Sequence, residues 1–292
     1  MKPFHFIQLA DPQFGMFASL SGKTDAEIAG YRLGGLTVRP APRTEGFADE
    51  TRLFEQAISE ANRLRPDFVV TCGDMVDDRH DPAQFEEVLR IARKLKPAIP
   101  MHWVPGNHDV GGGTEAPTPE ALARYREVFG PDYYAFQHNG VSFIVLNSAV
   151  LHLPEHTRPE LEAQLAFLES ELEAAALRRS PHVVLFSHHA LFLRKPDEPD
   201  PPVSRRFALT RRQRRVVLEM CRRFGVCHVF AGHWHQNNYA CDGSLRVIAS
   251  AAVGYPLGDD PSGYRVVKVY EDRIEHDYYG FGEGPERVEL RA

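Results

Sequence analysis

Apolar residues recur along the chain in two rhythms that take turns. Short unbroken apolar runs read as buried strands: residues 4–10, "FVVTC" at 68–72, "MHWV" at 101–104, "HVVLFS" at 182–187 and "VCHVFA" at 226–231. Between them the apolar positions shift to helical spacing. Residues 49–64 place Leu53, Phe54, Ala57, Ile58, Ala61 and Leu64 on one face, with Asp49 as the cap. "DPAQ" at 81–84 opens the next helix. Asp81 caps, Pro82 takes the first helical position, and Gln84 is expected to reach back to the cap. Further helices are predicted from "TPEA" at 118–121, over 159–176, and from the capping box "TRRQ" at 210–213 to about Phe224.

The rhythm changes at "YYAFQHNGVSFIVLN", 133–147. Alternation around Asn139-Gly140, a dipeptide that accepts positive φ, predicts a hairpin. The C-terminal part reads as all β: "LRVIAS", then "YRVVKVY" and "RIEHDYY" joined at Glu271-Asp272. Repeated strand–helix units, a hairpin and terminal antiparallel strands imply an α/β fold of two packed sheets with helices on the outer faces. No linker separates two cores, so residues 1–292 are read as one domain. Two segments, 15–48 and 194–208, show no regular pattern. Loops of such length in a compact domain are usually functional or disordered.

Composition narrows the class. With 43% hydrophobic residues the chain can bury a sizeable core. A net charge of −6 argues against general nucleic-acid binding. The four cysteines form neither a zinc pattern nor a disulfide framework, and Cys72, inside an apolar run, reads as a buried thiol of a reducing compartment. "MKPFHFIQLAD" has no signal-peptide core, and no run approaches the length of a membrane span. The expectation is a soluble, cytoplasmic protein with no membrane partner. Oligomeric state is left open.

Five predicted strands end in metal-binding residue types. They lead to Asp11 and Gln13; to "GDMVD" with Asp74; to "GNHD" with Asn107, His108 and Asp109; to "SHH" with His188 and His189; and to "GHWH" with His233 and His235. In α/β sheets, sites form beyond the carboxyl ends of the strands, so these distant segments can converge. Carboxylates, an amide oxygen and imidazoles suit divalent ions such as manganese, iron or zinc. The ligands are too many for one tetrahedral ion. Two ions sharing a carboxylate fit the count, and Asp74, presented by a glycine, is the natural bridge. Such a pair can clamp a phosphoryl group and generate a hydroxide for in-line attack. Asn107 can offer its oxygen to a metal and its N–H to a phosphate. His108 is then free to stabilise charge or protonate the leaving oxygen, with Asp109 expected to orient the imidazole.

The order D-x-Q, GD-x-x-D, GNHD, H, GH-x-H resembles the calcineurin-like metallophosphoesterases over residues 4–279. "ADPQFG", "CGDMV", "GNHDVG", "LNS", "LFSHHALF" and "SAAVGYPLG" are similar to the calcineurin-like phosphoesterase domain-containing proteins of animals. The resemblance implies a four-layer α/β/β/α sandwich and a dinuclear centre. By motif, it assigns Asp11, Gln13, Asp74 and His235 to one ion, and Asp74, Asn107, His188 and His233 to the other. It selects His188 over His189 and gives His108 the proton or charge role. It implies a phosphorylated substrate, a phosphoprotein or a small phosphoester. Phosphomonoester hydrolysis leads, since that branch is regarded as serine/threonine phosphatases. A phosphodiesterase or a nucleoside-diphosphate-linked pyrophosphohydrolase is the main rival, and a non-catalytic scaffold on the same fold is the alternative of another class.

Gln13 stands where most members of that family have histidine. As a ligand, its amide oxygen is harder than imidazole, which tilts the cofactor toward manganese, with iron, zinc or magnesium as alternatives. The bland reading is a glutamine that merely hydrogen-bonds nearby. Asp77 has two readings, a partner of the ligands or a turn residue. The eight arginines between Arg205 and Arg223 read first as a solvated helix face, second as an anion-recruiting rim. Tyr31, Arg32, Arg39 and Arg43 either contact substrate or decorate a flap. Phe207 and Tyr255 are candidates to wall the pocket. The remaining histidines are read as structural in the strands (His5, His102, His182, His228) and as surface or turn residues elsewhere (His80, His138, His152, His156, His276).

Overall fold

A computed structural model describes residues 1–200 and 207–291. The first half runs β1 (Phe4–Leu9), α1 (Met16–Leu20), α2 (Asp25–Leu33), α3 (Ala48–Leu64), β2 (Phe68–Cys72), α4 (Pro82–Ala92), β3 (Met101–Val104), α5 (Asn107–Val110), α6 (Pro119–Phe129), β4 (Tyr134–His138) and β5 (Val141–Val145). The second half runs α7 (Ser148–His152), α8 (Arg158–Arg178), β6 (Val183–Phe186), α9 (Arg211–Phe224), β7 (His228–Ala231), β8 (Asn238–Asp242), β9 (Leu245–Ala249), β10 (Gly263–Val269) and β11 (Ile274–Gly280). One sheet has the order β11-β10-β1-β2-β3 and the other β4-β5-β6-β7-β9-β8. Central strands are parallel in both, and antiparallel strands lie toward the edges.

Three apolar layers alternate with the sheets. The face of α3 that the periodicity identified packs with α4 on Ile7, Leu9 and Val69 of the first sheet. Leu168 and Leu172 of α8, with Val217, Leu218 and Cys221 of α9, cover Leu185, Val229 and Val247 of the second. Between the sheets lie Phe6, Phe68, Phe143, Phe186 and Phe230. The order helix, sheet, sheet, helix is the four-layer α/β/β/α sandwich. Phe6 sits at its centre, stacked on Phe68 at 4.7 Å and edge-on to Phe143, Phe186 and Phe230 at 5.6–5.9 Å. Phe6→Ala is expected to cost about 3–5 kcal/mol and to lower the unfolding midpoint by roughly 6–20 °C, read by thermal denaturation. A loss under about 1 kcal/mol would mean that this ring does not hold the sheets together.

Local departures from expectation have local causes. Segment 15–48 carries two helices. α2 has a true capping box, Thr24 with Glu27, inside a stretch whose glycines and prolines hide it. Asp49 does not cap α3; the helix starts one residue earlier, with Phe47 at the cap position, and Asp49 pairs with Arg52 in its first turn. Asp81 caps α4 as expected, but Gln84 turns away from it and accepts from the backbone N–H groups of Asp77 and Asp78, both at 3.0 Å. Thr210 makes no side-chain cap; Asp200 accepts from the Arg211 N–H instead. Among the described residues no helix is long and apolar enough to cross a membrane.

Candidate metal centre

The carboxyl ends of β1, β2 and β3 meet those of β6 and β7 along one edge of the sandwich. Asp11, Asp74 and Asn107 follow the first three strands; His188, and the pair His233 and His235, follow the other two. Pairing of β1 with β2 continues past the strand ends, through Asp11 N–H to Gly73 O (3.1 Å) and Gln13 N–H to Asp74 O (2.8 Å). Below the site the fully buried Gln8 ties the sheets, donating to Ala231 O at 2.8 Å and accepting from Ser250 Oγ at 2.7 Å.

The backbone at this edge is strained. Asp11, Gln13, Asp74, His233 and His235 all have positive φ, from 36° to 67°. Each such non-glycine residue costs on the order of 1–3 kcal/mol and persists only where its surroundings over-determine it. Glycines let other backbone come close. A Cβ on Gly73 would strike the His188 ring, one on Gly106 the Asp74 carboxylate, and one on Gly232 the Asp11 carboxylate.

These turns make acceptor atoms converge. His188 Nε2 lies 3.2 Å from Asp74 Oδ2, 3.0 Å from Asn107 Oδ1 and 3.0 Å from His233 Nδ1. Nδ1–H of His188 faces Cys72 O at 2.9 Å, which turns Nε2 toward the cluster. His235 is oriented the same way, with Nδ1 at 2.6 Å from Tyr255 O and Nε2 at 3.3 Å from Asp11 Oδ1. Asp11 and Asp74 are buried, and Asp11 also accepts from the His233 backbone N–H. Among the described residues, Asp74, His188 and His233 bring ligand atoms within 4.8 Å of one another.

Two buried carboxylates facing imidazole nitrogens and an amide oxygen call for positive charge. Burial disfavours the His188 imidazolium, yet Asp74 and Asp11 raise its pKa to about 9. Burial likewise works against the Asp74 carboxylate, but His188, His108 and His233 hold it below the usual carboxylate range. Carboxylate oxygens, imidazole nitrogens and an amide oxygen gathered at one buried point are the donor set of a divalent ion. Gln13 adds an independent sign. Its Nε2 donates to Asp77 Oδ1 at 3.0 Å, whereas its Oε1 is buried without a partner. A buried orphan acceptor costs about 1–3 kcal/mol, and a cation at this edge removes that cost.

His108 and Asp109 part company. The His108 backbone N–H donates to Asp74 Oδ1 at 2.8 Å, and its ring stands outside the cluster. Nδ1 meets the Asp77 carbonyl at 2.8 Å and lies 3.7 Å from the Asp77 carboxylate. Asp109 does not orient this imidazole. Its carboxylate points inward and accepts from the backbone N–H groups of Met75, Val76 and Gly106 at 2.7–3.3 Å, and burial, reinforced by Asp74, raises its pKa to about 7. Neighbours in sequence on the short helix α5 point in opposite directions. Asp77 is thus the partner of both Gln13 and His108. Glu50 went unnoticed in the sequence. Buried at the start of α3, it accepts from the N–H groups of Gly15 and Phe17 and pins the chain beyond Gln13. An acidic residue in a helical first turn gives no hint of that.

A cavity of about 450 Å³ opens over the cluster, with Gln13, Asp74, Asp77, Asn107, His108, His233 and His235 in its lining. Tyr31 and Phe207 line it; Arg32, Arg39 and Arg43 do not. Tyr255 packs behind the wall, its ring 4.9 Å from that of Phe17 and its hydroxyl accepting from Arg39 N–H. Arg205 and Arg206 lie outside the described residues. The arginines of α9 stay away from the cavity: Arg214 is buried against Glu198, Arg222 pairs with Asp242 and Arg223 with Glu169. His189 has Nδ1 on Ser148 Oγ and packs between His233, at 4.2 Å between rings, and His152, at 4.6 Å, which is buried rather than at the surface.

Comparison with known proteins identifies the family and the fold. The family model of the calcineurin-like phosphoesterases matches residues 4–237. The serine/threonine-protein phosphatase CPPED1 of Danio rerio is 36% identical, over 98% of this chain and 87% of its own length. The human protein of that name is 34% identical over 98% and 86%. Among solved structures, a dimetal phosphatase from Danio rerio superposes with a TM-score of 0.61 at 20% identity, covering 96% of this chain and 97% of that one. Fold, ordered motifs and convergent donors therefore meet in one conclusion: the chain belongs to the calcineurin-like phosphoesterase family and is a metal-dependent phosphoester hydrolase.

Proposed function

We propose that the chain hydrolyses phosphomonoesters at a centre of two divalent ions. Asp11, Gln13, Asp74 and His235 would hold one ion, and Asp74, Asn107, His188 and His233 the other. The observation that carries this reading is the convergence of Asp74, Asn107, His188 and His233 acceptor atoms beside the orphaned Gln13 oxygen. Bound there, divalent ions supply Lewis acidity and a water-derived nucleophile at neutral pH. The chain's own residues do the rest. Asn107 Nδ2, which donates to Gly112 O at 3.0 Å, is the N–H on the cavity side that can turn to a phosphoryl oxygen. His108, held through Nδ1 by the Asp77 carbonyl, presents Nε2 as the atom that gives a proton to the leaving oxygen.

The serine/threonine phosphatase names of the zebrafish and human relatives favour monoesters, on a phosphoprotein or a small molecule. The four free cysteines fit a reducing, cytoplasmic setting. Turnover of p-nitrophenyl phosphate against its bis-ester and ADP-ribose tests the assignment. A monoester preference of roughly tenfold or more in kcat/KM is expected. Preference for either of the other two overturns it.

Manganese is the proposed metal, because Gln13 supplies oxygen where an imidazole would favour zinc or iron. Gln13→His is expected to tighten metal binding by roughly tenfold, the scale on which changes around a metal act, and to shift preference toward zinc or iron. Metal titration of the stripped protein reads both effects. An unchanged affinity and order of metals would show that Gln13 is no ligand.

A further inference from the structure

The cavity over the metal centre has a mixed lining. Beside its polar residues, Ser19 and Thr114 among them, stand Met16, Leu20, Tyr31, Leu36, Leu257 and Phe207, the last 5.6 Å from the His233 ring, and among the described residues no lysine or arginine lines it. This apolar flank is built, not loose. Met16, Leu20 and Leu257 form a small core with Ile28, Val38 and Tyr255, against which Tyr31 and Leu36 pack. Thr37 N–H donates to Leu257 O at 2.8 Å, and Leu257 N–H to His235 O at 3.2 Å. Arg39 N–H reaches the Tyr255 hydroxyl at 2.8 Å, while Glu50 holds Gly15 and Phe17. The wall is therefore bonded to the same backbone that carries the His235 ligand.

Apolar side chains kept facing a ligand-sized cavity want an apolar occupant. We propose that this flank seats an uncharged apolar group, of the size of an aryl ring or a branched alkyl chain, carried on the ester oxygen of the substrate. The proposal rests on the monoesterase reading above and adds the class of its leaving group. A second phosphate in the same place would set its charge against Met16, Leu36 and Leu257, which disfavours nucleoside diphosphates. The selectivity lies in segment 15–48, Phe207 and Leu257, outside the metal motifs.

Phosphonates test binding without the differing reactivity of leaving groups. Methyl-, benzyl- and 2-aminoethylphosphonate are compared as competitive inhibitors of p-nitrophenyl phosphate hydrolysis by the metal-loaded full chain. Benzylphosphonate is expected to inhibit at concentrations roughly tenfold lower than methylphosphonate or less, the gain from burying a ring. The aminoethyl compound should gain nothing. Leu36→Asp, with Phe207→Ser as a second variant should the first fail to fold, should cut the benzyl advantage below about threefold while metal content stays at the wild-type level. Equal inhibition by methyl- and benzylphosphonate, with inorganic phosphate still inhibiting, overturns the apolar subsite and leaves the monoesterase reading standing. A metal-loaded chain that neither turns over p-nitrophenyl phosphate nor binds inorganic phosphate overturns the monoesterase reading and the subsite with it.

Discussion

Asp74→Asn is expected to lose bound metal and to cut kcat/KM by roughly a thousandfold or more, about 4 kcal/mol of transition-state stabilisation. Asp74 is buried between the imidazoles of His188 and His233 on one side and the Asp11 loop on the other. Asparagine keeps the shape and can still accept from the His108 N–H, so the fold should survive. What disappears is the charge that both ions would share. Elemental analysis after gel filtration gives the metal content, and steady-state kinetics with excess manganese shows whether added metal rescues activity. A variant that retains wild-type metal and stays within about tenfold of wild-type activity would remove Asp74 from the centre of the mechanism.

His108→Ala should behave differently. Its ring stands outside the convergent acceptors, and the bond to Asp74 comes from its backbone N–H, which alanine preserves. Metal content should therefore match wild type. The rate constant kcat should fall by about 10²–10⁴, the usual worth of a positioned acid, with KM little changed. The loss should shrink for substrates whose leaving oxygen needs no proton, such as p-nitrophenyl phosphate. An equal loss for nitrophenyl and alkyl esters would assign His108 to charge stabilisation instead of proton transfer. Its sequence neighbour makes a contrast. Asp109→Asn puts an amide NH2 among three backbone N–H donors, so it should cost about 1–3 kcal/mol of stability, visible in chemical denaturation.

Much of this site was legible because each donor ends a strand. A buried parallel strand is a continuous apolar run, so the polar residue that stops it stands out: Asp11 after "FHFIQL", Asp74 after "FVVTC", His188 after "VVLF". The four-layer order followed from the same runs and from the helical faces between them. Side-chain direction was not legible. His108 and Asp109 are adjacent, but one turns to the cavity and the other into the core, because backbone N–H groups of Met75, Val76 and Gly106 need an acceptor there. The helices in segment 15–48 were obscured by surrounding turn residues, and the role of Glu50 depends on a partner 35 residues away.

Local pattern by itself determined most strands and helical faces, though not β8 or the helices of segment 15–48, and with them the order of the motifs and the chemistry of their donors. Those properties depend on residue type and on spacings of two to four positions, which a single sequence displays in full. Only the tertiary structure decided which atoms meet. The positive φ at Asp11, Gln13, Asp74, His233 and His235, the imidazoles aimed by the carbonyls of Cys72 and Tyr255, and the apolar flank bonded to the main chain of His235 all arise between segments up to 220 residues or so apart. Backbone groups supply most of those contacts. Every residue carries the same backbone, so no residue type announces them in advance.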